Sequence, residues 1–274
     1  MPILEQQHFE HAKTTHLLFG KMNLTMKINW SQSSSAFYII PSSLLPIRHL
    51  NALHWPYSLW HLSYVIIGAA LSESINLAIL AWTILAFIGG MVIAAHYIDL
   101  LNGDPLKQKI PRWQLRLGAT FGLSMAVSIG FWQILYGPVS PWLLVAIPIG
   151  CILALGYGLE WPLLHGNWQF SMWWAVFPVL IGYLAQDVAF TEKLIPIMLF
   201  AFATAYAQRE LSTRVRFLRR KIILATVILT TYSGESRSLP EKADKSWLLQ
   251  PLEMALAIFA AAMVLLAIGL LLLN

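Results

Sequence analysis

Seven stretches of this sequence, residues 53–71, 77–98, 115–136, 142–159, 170–185, 194–206 and 252–273, are apolar and almost free of charge. Most approach the ~20 residues that a helix needs to cross a bilayer core of about 30 Å. In hydrocarbon every backbone amide must be satisfied within its own segment, so runs of this length are expected to be helices. The sixth is short, and it is expected to continue through Ala207 and Gln208 towards Arg209, with basic side chains snorkelling to the interface. Composition agrees: 58% of residues are hydrophobic and 11% charged, against roughly 25% charged in a soluble domain. The expected fold is all-α, a polytopic membrane bundle of about seven transmembrane helices. Short connectors rich in breakers, such as Gly137-Pro138-Val139-Ser140-Pro141 and Leu164-His165-Gly166-Asn167, make successive helices antiparallel neighbours.

Charge sets the expected orientation. Lys107, Lys109, Arg112 and Arg116 follow the second run, and Arg209, Arg214, Arg216, Arg219, Arg220 and Lys221 follow the sixth, whereas the alternate loops are nearly uncharged. By the positive-inside rule the amino terminus and both basic loops are cytoplasmic and Asn274 lies outside, in a protein integral to the cell membrane. The net charge of +5 is spread through these loops, so membrane topology accounts for it and no nucleic-acid partner is expected. A single cysteine, Cys151, excludes an internal disulfide and a cysteine-based metal site. Residues 1–47 read as a polar cytoplasmic extension, residues 48–221 as the bundle and residues 248–274 as the final helix. Between them, residues 222–247 hold the β-branched stretch Ile222–Thr231 and the turn formers Ser233-Gly234, which together predict a small cytoplasmic β-hairpin.

Carboxylates are scarce, so those meeting a helix end are informative. Near the end of the second run His96, Asp99 and Asn102 recur every three residues on one helix face, and Asp104 follows an Asn-Gly turn. Oxygen ligands in this arrangement suit Mg²⁺ together with substrate phosphates; a plain helix terminus with turn residues explains the same pattern. Arg209, Arg216 and Arg220, spaced by seven and four, fall near one face of a continued sixth helix. They suit bidentate phosphate contacts or the anionic headgroups of membrane lipids. His54, Ser58 and His61 share a face of the first run, where ionisable groups facing a bundle interior point to a site and neutral histidines bonded to a neighbouring helix explain the pattern equally well.

The polar end of the second run, the basic Ile110-Pro111 loop, the stretch Gly150-Cys151-Ile152-Leu153-Ala154-Leu155-Gly156-Tyr157-Gly158 and Pro178-Val179-Leu180-Ile181-Gly182-Tyr183 together resemble the UbiA superfamily of intramembrane prenyltransferases, over residues 48–220. In that family two Asp-rich motifs, closing the second and sixth helices, hold Mg²⁺ and a prenyl diphosphate. Here Asp99 stands at the second Asp of the first motif, Ala95 and His96 replace its Asn-Asp, and Asp104 comes one position after Gly103, where the third Asp would be. Glu210 is the sole carboxylate of the second stretch, residues 205–213. The resemblance implies Asp99, Asp104 and Glu210 as catalytic residues, with Mg on Asp99 and Asp104. It implies His96, Asn102, Lys107, Lys109, Arg209, Arg216, Arg220 and His61 around an isoprenoid diphosphate and its lipophilic acceptor. The alternative from another class is a non-catalytic lipid-binding or scaffold protein that retains the fold.

Overall fold

The computed structural model describes residues 34–186, 189–238 and 241–274, so most of the expected amino-terminal extension, residues 1–33, lies outside the described residues. The chain is mostly helical. In order it forms α1 (Leu45–Ala52), α2 (Trp55–Ala69), α3 (Leu77–Asn102), α4 (Arg112–Tyr136), α5 (Leu143–Gly158), α6 (residues 167–184), α7 (Leu194–Lys221), strands β1 (Ile228–Thr230) and β2 (Ser236–Ser238), and α8 (Glu241–Leu272). Three of these, α3, α4 and the Lys245–Leu272 part of α8, are long and apolar enough to cross a membrane, and α5 is a shorter apolar helix. Membrane association follows from these.

The helices begin and end where local chemistry dictates. Asn76 caps α3 by accepting from the amides of Ala78 and Ile79. The chain cannot run straight from α1 into α2, because His54 between them adopts φ 50° and ψ 46°, a left-handed conformation that costs a non-glycine residue roughly 1–2 kcal/mol. Two helices also widen into π turns, α3 over Ile88–Ala95 and α6 over Met172–Val176. Such turns are rare and recur at functional sites.

Close packing rests on glycine. The α2–α6 contact brings backbones together: a Cβ built on Gly68 would lie 2.0 Å from the Val179 carbonyl oxygen, and one on Gly182 would lie 2.1 Å from that of Val65. Small residues at helix crossings are the usual device where lipid removes any hydrophobic drive between helices. Around this crossing Trp60, Tyr64, Val179 and Tyr183 are fully buried, and α8 and α3 pack on α2 from other sides.

Hydrogen bonds sort the helix ends into two groups. At one end Asn274 donates to the Ala70 carbonyl, the Asn76 amide to Gln186, and the Ser140 amide to the Leu184 carbonyl. At the other, Asn102 donates to the Gly158 carbonyl and Arg209 faces His165. The basic loops therefore share the second end.

Several boundaries differ from the sequence expectation. α7 continues past the apolar run as expected and runs beyond Arg209 to Lys221 as one unbroken helix, because Arg219 and Arg220 are anchored by tertiary contacts. α8 starts at Glu241, well before the apolar run, since its first turns continue in polar residues that favour helix. The hairpin forms, with Ile228 paired to Ser238 and Thr230 to Ser236 around a turn whose Gly234 takes φ 85°, and both strands are exposed. Residues 34–44, assigned to the extension, pack on the bundle. Asn51 holds Ile40 through its amide and carbonyl at 3.0 and 2.9 Å, and Arg219 holds the Ser34 carbonyl at 3.0 Å.

Candidate functional site

A polar cavity of about 410 Å³ opens among the ends of α2, α3, α5, α6 and α7, under the segment that precedes α1. α7 contributes a stripe at helical spacing, Gln208, Arg209, Ser212, Arg216 and Arg220, because a helix returns to the same face every three to four residues. α3 contributes Ala95, His96 and Asp99; α2 and its left-handed junction contribute His54, Tyr57 and His61. Tyr157, Glu160 and His165 close it from the α5–α6 side, Phe170 and Trp174 form its floor, and Tyr38 comes from the strap before α1.

The walls are held by specific contacts. His61 Nδ1 lies 2.8 Å from the Trp174 carbonyl and His96 Nδ1 lies 2.8 Å from that of Val92. A carbonyl only accepts, so each imidazole carries its proton on Nδ1 and keeps Nε2 as an acceptor. The rings of His54 and His96 meet edge to face at 4.8 Å, and Tyr157 stacks on His165 at 4.6 Å. The Arg209 guanidinium sits 5.1 Å from the centre of the Phe170 ring, a cation–π distance.

Electrostatically the site is cationic. Burial, then the facing Arg209 and Arg220, push the Arg216 guanidinium down to about 10, against Tyr157 and Tyr57, which favour its charge. Burial lowers Arg220 as well, opposed by Tyr38 and Asp99. Burial raises the Tyr38 phenol well above its ordinary range despite Arg220 and Arg216 beside it, so Tyr38 is a neutral hydroxyl at physiological pH.

A second, apolar cavity of about 130 Å³ lies among α3, α4, α5 and α6. Phe87, Met91, Leu123, Ile147, Cys151 and Phe177 are among its walls. Its polar residues Thr83 and Gln133 are satisfied by the Ile79 carbonyl at 2.9 and 3.2 Å. Ala95 and Trp174 line both cavities. Each belongs to one of the two π turns.

No family model, curated protein or solved structure matches the chain. The site must therefore be read from its own residues.

The expected site residues divide. Asp99, His96, His61, Arg209, Arg216 and Arg220 all line the polar cavity. Asp104 does not: its two carboxylate oxygens accept from the amides of Gln108 and Lys109 at 3.0 and 2.6 Å and fix the loop after α3. Glu210 lies beside the cavity stripe rather than in it, and its carboxylate accepts from Asn167 at the start of α6. Asn102 spends its amide on the Gly158 carbonyl. Lys107 and Lys109, both in left-handed backbone, line a separate open cleft of about 630 Å³ with Arg48.

These placements test the implied Mg²⁺. Of Asp99 and Asp104, expected to hold it, only Asp99 reaches the cavity, where Glu160 is a second carboxylate, and among the described residues no three His, Cys, Asp or Glu groups gather to hold a metal. The donor set does not fit an Mg²⁺–diphosphate centre, which needs several oxygen ligands.

Sequence reasoning missed Tyr38, Tyr57, Tyr157, Glu160, His165, Trp174 and Gln208. Gln208 carried a readable signal: an amide at the apolar end of a long helix, in register with Ser212 and Arg216.

Proposed function

We propose that this protein is a UbiA-like intramembrane protein that holds an isoprenoid-type lipid, with its tail in the apolar cavity and its head in the polar one. The observation that carries this reading is that Ala95 and Trp174 line both chambers, which makes them neighbours. A site of this form, apolar with a few convergent polar groups at one end, suits an amphipathic ligand. Release of the tail from water supplies roughly 0.8 kcal/mol per buried CH₂, while the polar groups fix the head. Transfer of the prenyl group to a lipophilic acceptor is the second reading, favoured by Asp99 facing Arg209 and Arg216 in one chamber. Binding without transfer is the reading that the engaged carboxylates of Asp104 and Glu210 favour.

Purified protein should carry such a lipid, detectable by mass spectrometry of an organic extract. Ala95→Leu, lining both cavities, and Gly150→Leu, on the wall of the apolar cavity, should each lower the recovered lipid severalfold while melting within a few degrees of the parent. An extract indistinguishable from bulk membrane lipid, in the parent and both variants alike, would contradict the reading.

In this proposal α2 to α8 each cross the bilayer, with the polar cavity on the cytoplasmic side. That orientation rests on the basic loops and on the two groups of helix ends. Single cysteines at Glu73, Leu163 and Ser236, all exposed, in a chain lacking Cys151 should react with a membrane-impermeant maleimide from outside, inside and inside respectively. Labelling of Leu163 or Ser236 from outside would invert or break the arrangement.

A further inference from the structure

The polar cavity gathers three arginines that, among the described residues, form no ion pair, although Asp99 and Glu160 line the same chamber. Arg216 donates to the hydroxyls of Ser212 and Thr213 at 3.1 and 2.8 Å, and Arg220 Nε donates to the Ser35 carbonyl at 3.3 Å. Arg209 faces His165 Nε2 at 3.5 Å, and its Nε is buried with no protein partner. The neighbouring Arg219 shows the contrast: it turns to the other side of α7 and forms an ion pair with Glu253. Gln208, 3% exposed and on the same cavity stripe, also has an unpartnered Oε1. Buried polar groups in folded proteins are nearly always paired, so two unpaired ones on one wall of one chamber point to a polar occupant.

We propose that the chamber binds the phosphate or diphosphate head of its lipid directly on Arg209, Arg216 and Arg220, with no divalent cation between them. This rests on the lipid-binding reading and deepens it by naming the charge of the head and the means of neutralising it. The three guanidinium groups supply the positive charge that bound Mg²⁺ would otherwise bring. Their planar forks match phosphate oxygens two at a time. The Tyr38 and Tyr57 hydroxyls, on the same cavity, add neutral donors. The depressed Arg216 fits this arrangement, since an anion among the three guanidinium groups relieves the repulsion that Arg209 and Arg220 impose on it. Of the carboxylates expected at the site, Asp104 is engaged on two loop amides and Glu210 on Asn167, which leaves Asp99, with Glu160, in the chamber. A lipid phosphate and a free phosphate share this chemistry, and the apolar chamber beyond Trp174 is what separates them.

The test is equilibrium binding of farnesyl diphosphate, farnesol and inorganic pyrophosphate to the full chain in detergent, each in EDTA and again in excess Mg²⁺. Farnesyl diphosphate is expected to bind in EDTA with an affinity within a few-fold of that in Mg²⁺, and more tightly than pyrophosphate or farnesol. Arg216→Gln and Arg220→Gln should each weaken farnesyl diphosphate about tenfold or more, the scale of one lost charged hydrogen bond. Both should leave farnesol unchanged, which also reports that the variants are folded. Binding that vanishes in EDTA and returns with Mg²⁺, or that ignores both arginine substitutions, overturns the metal-free site and leaves the lipid reading intact. Pyrophosphate binding as tightly as farnesyl diphosphate supports the anion site and removes the lipid tail from the reading. Failure of all three ligands in both conditions overturns the anion site and the lipid reading together.

Discussion

Glu253→Ala should destabilise the protein by about 3–5 kcal/mol, the usual effect of removing one partner from a buried ion pair. Arg219 and Glu253 join α7 to α8 with side chains only 2% and 5% exposed. The contact is a two-pronged fork, with Arg219 Nη2 donating to Glu253 Oε2 at 2.9 Å and Nε donating to Oε1. Arg219 Nη1 also reaches the Ser34 carbonyl, so the same side chain ties down the strap over the cavity. Without Glu253 the buried guanidinium keeps its bond to the Ser34 carbonyl but loses this carboxylate's counter-charge. The measurement is denaturant unfolding in mixed micelles, followed by circular dichroism. A double replacement, Arg219→Leu with Glu253→Leu, should be less damaging than either single one, because no charge is then stranded. An unchanged unfolding midpoint for Glu253→Ala would show that the pair contributes nothing to the fold.

The second large effect is steric. Gly68→Ala and Gly182→Ala should each cost about 1–3 kcal/mol, the range for overpacking a core that cannot yield. The obstacle is backbone in both cases, the Val179 and Val65 carbonyl oxygens at 2.0 and 2.1 Å from the new methyl carbon, so no rotamer change clears it. Gly269→Ala on α8 meets nothing within 4 Å. It should be neutral or stabilise by roughly 0.5–1 kcal/mol through the lower chain entropy of alanine in a helix. Thermal unfolding of the three variants side by side decides it: equal midpoints would mean that α2 and α6 do not cross as closely as described.

The helices were legible because apolar length is a one-dimensional signal, carried by composition in a window. The β-branched stretch bounded by Ser233-Gly234 was legible as a hairpin for the same reason. Boundaries were less so. Nothing local says that α7 persists to Lys221; what holds it are Glu253 and the Ser34 and Ser35 carbonyls, residues far away in the chain. The site divides along similar lines. Asp99 could be grouped with His96 by a spacing of three and the three arginines with one another by spacings of seven and four, and the family resemblance joined the two sets. Asp104 and Glu210 carried the same charge in similar surroundings; Asp104 is diverted locally, to amides four and five residues on, whereas Glu210 is diverted by a tertiary contact with Asn167 that no spacing reveals. Tyr38 sat in a stretch with no periodicity at all, and it reaches the cavity only because Asn51 pins Ile40 against α1.

The π turn of α3 has a geometric result that reaches from one chamber to the other. In an ordinary α-helix a step of four residues overshoots a full turn by about 40°, so Phe87, Met91, Ala95 and Asp99 would wind away from one another by roughly a third of the circumference. The wider turn over Ile88–Ala95 takes up most of that overshoot. Phe87 and Met91 then line the apolar chamber, Ala95 belongs to both, and Asp99 stands in the polar one. The helix thus presents a straight rail of side chains graded from hydrocarbon to carboxylate, along which a molecule with an oily end and a charged end can be held in a single orientation.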